Sequence, residues 1–448
     1  MGKSFAGIGV LCASALLVQT ASAQEQLWLK DRQYREGMGY EVGDFELHPG
    51  LGAEFGYDSN YFRRASGEDP VGALRIRISP SFSISTLGPQ RRGEDAPPPT
   101  VNFRADLAAS YNEFIPVSGS DAGKDQMKSQ RNIMGDLGFN LDILPERTWS
   151  GRLFAGVNRS VMPTNEGDTS VSFNRDTPRA GGELIWAPGG GMLDWRLGYT
   201  FEGTFFEAGD FTQLNVLRNT VSTRGRWRFL PRTALMFDMR AGFFIYPDQS
   251  EKTNSYPLHA RIGLNGLFTP SFGAMALIGY GTSLYQGAII GDPQDFDSVI
   301  AQAELKFYFT PVADSDPMKA EAALSSMSVG FIRDFDDSYI GSYLEKDRGY
   351  LKFSYLFGGV FLAALEGGVA AVRFPAVLQY GQGSPWTDVS VDASVLAEYR
   401  IKDMWGINAS FKYDGYFSST ALTYPTGPGT DQLRYQEISA FIGARWFM

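Results

Sequence analysis

Segment after segment of this chain alternates apolar and polar side chains with a period of two, and nothing else in the sequence limits the fold as strongly. From Ala73 to Ser85, Leu74, Ile76, Ile78, Phe82 and Ile84 fall on one face, and Arg75, Arg77, Ser79, Ser81, Ser83 and Ser85 on the other. Successive side chains of a strand point to opposite faces, so one side is apolar and the other wet. The pattern returns in Leu193, Trp195, Leu197, Tyr199 and Phe201 against Asp194, Arg196, Thr200 and Glu202, and in Val389, Val391, Val395 and Tyr399 against Asp388, Asp392, Glu398 and Arg400. A soluble sandwich would have to bury every apolar face in a large core. A membrane barrel covers them with lipid and fills its inside with water, and there a charge on the lipid face costs about 2–4 kcal/mol at the midplane. The expected fold is therefore all-β: a transmembrane antiparallel up-and-down β-barrel of about 18 strands, 16–18 with the two weakest segments in doubt.

The expected strands are 46–59, 73–86, 101–114, 132–144, 148–160, 178–187, 192–206, 214–229, 233–246, 257–268, 273–286, 297–310, 323–335, 347–357, 360–373, 387–401, 405–417 and 433–448. Alternate connections are tight, as at Pro145-Glu146-Arg147, Pro188-Gly189-Gly190-Gly191, Pro231-Arg232 and Gly358-Gly359. Such residues between alternating runs are hairpin signals. Between them lie longer polar stretches, 115–131, 161–177, 247–256, 287–296, 374–386 and 418–432. Short turns on one side and long loops on the other match the periplasmic and extracellular ends of outer-membrane barrels. Two connections on the short side, 88–99 and 311–322, break that rule and read as longer unstructured turns. An even strand count puts both chain ends in the periplasm.

Residues 1–23 read as a secretory signal peptide, with Lys3, an apolar run and Ala21-Ser22-Ala23 ahead of Gln24. Leu11 before Cys12 is not the small residue that lipoprotein processing needs, and removal of the signal removes the one cysteine. The expected organisation is a signal peptide (1–23), a periplasmic N-terminal segment (24–45) and an outer-membrane barrel (46–448). No apolar stretch after the signal reaches helical membrane-spanning length. The charge of −10, or −11 without Lys3, argues against a nucleic-acid partner.

Aromatics gather near strand ends, at Trp149, Trp186, Trp227, Phe229, Phe357, Trp386, Trp405 and Trp446, as interfacial girdles do. The last segment sets Ile438, Ala440, Ile442, Ala444, Trp446 and Met448 against Glu437, Ser439, Gly443 and Arg445. It resembles the terminal strand recognised in outer-membrane assembly, although Phe447 is penultimate rather than last.

A family resemblance enters at the first strand. Val42-Gly43-Asp44-Phe45-Glu46-Leu47-His48-Pro49-Gly50-Leu51-Gly52, then Tyr57-Asp58-Ser59-Asn60-Tyr61-Phe62-Arg63, resembles the opening of a family of outer-membrane β-barrel porins. Many genes of that family lie beside exopolysaccharide or capsule synthesis genes. The resemblance covers about twenty residues. It implies a conduit for polysaccharide export, or for a related solute, with periplasmic polysaccharide-export proteins as partners alongside outer-membrane lipid.

Parity places a set of charges inward, and the lumen-lining candidates are Arg75, Arg77, Arg196, Arg218, Arg224, Arg226, Arg228, Arg240, Asp388, Asp392 and Glu398. Opposed basic and acidic walls would order water and orient polar or anionic solutes. Pairing between neighbouring strands would instead make them mutually satisfied wall charges. Tyr246, Tyr308, Phe244, Tyr435 and Phe441 also point inward by parity, as sugar-stacking platforms or as packing. His48 and His259 belong to opposite rims, so no nucleophile and base come together, and neither an enzyme nor a cofactor or metal site is expected. A hydrophilic conduit is the first reading. A structural or adhesive surface barrel with a closed lumen is the alternative, and a soluble exported all-β protein the third.

Overall fold

The computed structural model describes residues 39–87, 99–129, 132–145, 147–160, 174–189, 191–207, 209–250, 252–286, 295–311, 325–402, 404–423 and 430–448. The expected signal peptide, all but the end of the 24–45 segment, and most of the 88–99 and 311–322 connections lie outside these residues.

The strands are β1 (Tyr40–Val42), β2 (Phe45–Asp58), β3 (Ala73–Thr86), β4 (Val101–Pro116), β5 (Asn132–Ile143), β6 (Trp149–Ser160), β7 (Arg175–Trp186), β8 (Leu193–Phe206), β9 (Val216–Leu230) and β10 (Thr233–Ile245). They continue with β11 (Asn254–Thr269), β12 (Phe272–Gln286), β13 (Phe296–Tyr308), β14 (Ser326–Asp337), β15 (Tyr343–Phe357), β16 (Phe361–Phe374), β17 (Trp386–Lys402), β18 (Trp405–Phe417), β19 (Ala421–Thr423), β20 (Thr430–Gln432) and β21 (Tyr435–Phe447). Each strand from β2 to β18 pairs antiparallel with the next, β18 pairs with β21, and β21 returns to β2. The result is a closed antiparallel barrel of 18 strands. Closure leaves no unpaired edge for the backbone to expose. β1 lies on the part of the β2 edge that β21 does not reach.

The exterior is apolar along its length. Leu51, Phe55, Ile76, Ile78, Leu153, Val157, Ile262, Ile278, Val299, Leu365 and Ile442 are all exposed. The opposite residues of the same strands, among them Glu54, Arg75, Arg77, Arg261, Gln302 and Arg445, are buried. A wall of that polarity needs an apolar solvent outside, which excludes the soluble reading. Trp149, Trp227, Phe229, Phe357 and Trp405 are exposed near the ends of strands that carry the tight turns. Trp386 departs from that expectation. It lies at the opposite end, stacks on Phe374 at 4.8 Å and donates to Asp388 Oδ2 at 3.0 Å, because its even parity turns it inward.

The turns are as tight as their residues suggest. Phe357 and Phe361 are paired across Gly358 and Gly359, whose φ of 56° and 76° are left-handed values that glycine adopts without strain. Several loops at the other end carry structure that alternation does not reveal. A helix α1 (Asp121–Ser129) follows β4, 3-10 turns occupy Gly209–Leu214 and Leu378–Tyr380, and β19 pairs with β20. The start of β1, Met448 and the tight turns define one end of the barrel, and these loops define the other.

Candidate functional site

The inner wall divides into a sealed side and an open side. On the sealed side, the cross-strand register aligns Glu398, Asn408, Gly443, Glu54, Arg77 and Asn112 on one rung from β17 to β4. Ser410, Phe441, Gly56, Arg75 and Phe114 form the next rung toward the loop end. Phe441 lies over Gly56, where a Cβ would come within 2.2 Å of the ring. Arg75 and Arg77 lie above that ring at 5.4 and 4.4 Å. Both guanidiniums are paired, Arg75 with Asp58 at 3.0 Å and Arg77 with Glu54 at 3.0 Å, and both donate to Asn112 Oδ1. Glu398 is held from two strands by Arg445 and by Arg400 at 2.9 Å. Large side chains lying flat over glycines bury these charges at a wall that would otherwise face water.

The connection from β2 to β3 folds inward over this side. Asn60 braces it: its amide accepts from Arg64 N at 3.1 Å and donates to Arg64 O at 2.7 Å and, across the seam, to Gln436 O at 3.0 Å. Tyr61, Phe62 and Val71 are fully buried against Phe114 and against Met127 of α1. Arg63, at φ 56°, reaches Glu437 at 2.8 Å and Asp414 at 3.2 Å and lies over Tyr435. Burial works against the charge of Arg63, and Tyr435, Glu437 and Asp414 outweigh it, so its pKa is raised. Asp69 accepts from Ser120 N and from the Ser120 hydroxyl, and these bonds hold its carboxyl below the usual range. The Ser120 hydroxyl in turn caps α1 by accepting from Gly123 N at 3.1 Å. The 57–63 cluster that carries the family resemblance thus builds this in-folded loop.

Two further in-foldings crowd the loop end. Residues 338–342 cross to other strands: Tyr339 packs edge-on against Phe206, Lys252 Nζ donates to Gly341 O, and Tyr285 donates to Ser342 O at 3.1 Å. A second apolar group joins Phe374, Val377 and Tyr380 to Leu422, Leu433 and Tyr435.

From β5 to β10 the inward side chains are mostly half-buried rather than sealed. This stretch carries the arginine row of β9. Arg224 pairs with Glu183 at 2.7 Å, and Arg218 pairs with Glu202 at 3.3 Å and donates to Thr204 at 3.0 Å. Arg226 and Arg228 share their face, since Trp227 and Phe229 beside them point out. Arg196 pairs with Asp194 at 3.0 Å, and Arg240 with Asp238 at 3.5 Å. Among the acidic candidates, Asp392 accepts from Arg348 at 2.6 Å, and Asp388 is buried against Trp386 and Tyr416. All eleven candidates occupy the face opposite the exposed apolar residues. The structure splits them between the sealed side (Arg75, Arg77, Glu398), the crowded loop end (Asp388), the β15–β17 wall (Asp392) and the open side (the rest). Phe244 lies under Arg218 at 5.3 Å, and Tyr246, Tyr308 and Tyr435 are buried.

The histidines sit apart. His48 Nδ1 lies 2.8 Å from Met448 O at the turn end, and His259 stacks on Phe335 at 4.2 Å beside Asp334. Among the described residues no group of three or more His, Cys, Asp or Glu could hold a metal ion. The helix and the in-folded loops escaped sequence reasoning. Ser120 ahead of Asp121 was the one legible sign of α1.

No family model and no curated protein matches the chain. Solved structures do. Pseudomonas aeruginosa OpdK with vanillate matches at 10% identity and a TM-score of 0.46, over 90% of this chain and 99% of that one. Acinetobacter baumannii OccAB3 matches at 12% identity and 0.47, over 91% and 100%. P. aeruginosa OccK2 (OpdF) with glucuronate matches at 12% identity and 0.45, over 90% and 98%. Likeness at this level says nothing of what the chain does.

Proposed function

We propose that the protein is a Gram-negative outer-membrane channel for hydrophilic solutes, with a path running along the β5–β10 side of the lumen and favouring anions. One observation carries this reading. The inner wall is sealed from β18 through β3 but accessible from β5 to β10, and that accessible stretch holds Arg196, Arg218, Arg224, Arg226, Arg228 and Arg240. Guanidiniums lining a confined aqueous path raise the local concentration of anions. On this reading the turn end, with both termini, faces the periplasm, and the loop end faces outward. The remaining candidates, Arg75, Arg77, Asp388, Asp392 and Glu398, would serve as wall and plug charges.

Export of an exopolysaccharide or capsule polymer is a second reading, favoured by the residues of the 57–63 cluster. It requires the in-folded loops to withdraw and periplasmic export proteins to deliver the polymer. The crowded loop end favours the closed-lumen scaffold instead. Planar-bilayer recording of the refolded chain separates these readings. A channel gives discrete current steps, and a salt gradient gives a reversal potential on the anion side. Persistent absence of current from a heat-modifiable, inserted barrel would overturn the channel. N-terminal sequencing of the exported protein is expected to begin at Gln24.

A further inference from the structure

Outward-facing charges also occur at the loop end, and one group of them has the geometry of a ligand site. Arg333 on β14, Glu345 and Asp347 on β15, and Arg373 on β16 share the parity of exposed Val329, Leu351 and Val369, so they point out of the barrel. Arg333 is directly opposite Asp347, and Glu345 directly opposite Arg373. All three nitrogens of Arg333 are engaged: Nε donates to Val299 O at 3.0 Å, Nη1 to Asp347 at 3.4 Å, and Nη2 to Glu345 at 2.8 Å and Ser298 Oγ at 3.1 Å. Arg373 meets both carboxylates, Asp347 at 2.7 Å, through Nη1 alone. Its Nε–Nη2 edge has no protein partner among the described residues.

Exposure shows which charges the patch presents. The Arg333 and Arg373 side chains are 33% and 41% exposed, whereas Glu345 and Asp347 are 10% and 16%. The carboxylates sit behind and fix the guanidiniums in front. Toward the turn end on the same wall lie exposed Val329, Leu351 and Val369. Charge of this kind is costly at the bilayer midplane and tolerated at the interface, which sets the patch at headgroup level. A guanidinium edge with two parallel N–H groups matches the oxygens of a phosphate. The outward group around Arg159 does not have this form. There Arg159 alone faces Asp176 and Glu207, all three about equally exposed.

We infer that the Arg333–Arg373 patch docks the phosphorylated headgroup of an outer-leaflet glycolipid. A phosphate lies on the Arg373 Nε–Nη2 edge, and acyl chains lie along Val329, Leu351 and Val369. The inference rests on the outer-membrane reading above, with the loop end outward.

Native mass spectrometry of the full refolded chain tests it, by titration with bisphosphorylated lipid A, the same lipid with both phosphates removed, and inorganic phosphate. The bisphosphorylated lipid is expected to bind about tenfold or more tighter than its dephosphorylated form, as one charge-assisted contact of about 1.5–3 kcal/mol implies. The double variant Arg333→Gln/Arg373→Gln should abolish that preference, and Arg159→Gln should keep it. Equal binding of the two lipids to the unaltered chain, a preference unchanged in the double variant, or full competition by inorganic phosphate would overturn the inference. If the double variant fails to fold, the comparison of the two lipids on the unaltered chain still decides. Heat-modifiability and bilayer current report the barrel and the channel separately, so failure of lipid docking is distinguishable from failure of the membrane reading.

Discussion

Glu398 and Arg445 show what a sealed wall demands of single residues. Both side chains are buried, on strands that neighbour each other only through β18. Removing one partner of a buried ion pair leaves an uncompensated charge at about 3–5 kcal/mol, whereas replacing both with apolar groups is often near neutral. Arg400 stays on Glu398 when Arg445 is lost, so Arg445→Met is expected to lower the unfolding free energy, read from urea titration in micelles, by the lower end of that range, and Glu398→Leu/Arg445→Met to recover most of the loss. Asp69 offers a pH-dependent counterpart. Its folded-state pKa is depressed, so its bond to Ser120 contributes above the unfolded value and is lost as pH falls through the lower folded value. Ser120→Ala should move the Asp69 titration midpoint upward, as read by carbon NMR of the side-chain carboxyl. An unmoved midpoint would refute the Ser120 clasp.

At the scale of elements, the 59–72 loop is held by polar contacts at its tip and by buried aromatics at its base. Arg63→Gln removes both ion pairs to Glu437 and Asp414 while Tyr61 and Phe62 keep their packing. Single-channel conductance is expected to rise and become noisier in this variant, and an unchanged trace would show that the loop does not obstruct the path. This is also where sequence reading loses its reach. Strands were legible because lipid and water on opposite faces impose alternation locally. Even 178–187 and 360–373 became β7 and β16, although small outward residues such as Ala363, Gly367 and Ala371 weaken the signal of the second. Inward parity of the arginines was legible for the same reason. Which of them are sealed was not, because that depends on Phe441 lying over Gly56 and on Arg445 reaching Glu398, contacts between strands far apart in the chain. The course of a loop after it leaves its strand has no periodic signature at all.

For the whole molecule, the two-solvent design separates stability from permeation. Ile278, 62% exposed on the mid-wall of β12, should tolerate no charge: Ile278→Arg is expected to cost about 2–4 kcal/mol in folding into lipid while leaving conductance unchanged. Arg224→Gln/Arg226→Gln/Arg228→Gln should do the reverse, keeping the unfolding free energy within about 1 kcal/mol and moving the reversal potential toward cations. The seam between β2 and β21 carries one more consequence, which concerns time rather than shape. The partners of the in-folded loop, Gln436 for Asn60 and Glu437 for Arg63, lie on the last strand of the chain. Their separation in sequence makes this among the last contacts that loop-closure entropy allows to form. The loop therefore lacks its anchor while the wall is still open, and it seats only when the final strand has zipped against the first. The seated loop is in this sense a record that assembly has finished: a barrel halted one strand short would hold it with neither of these anchors.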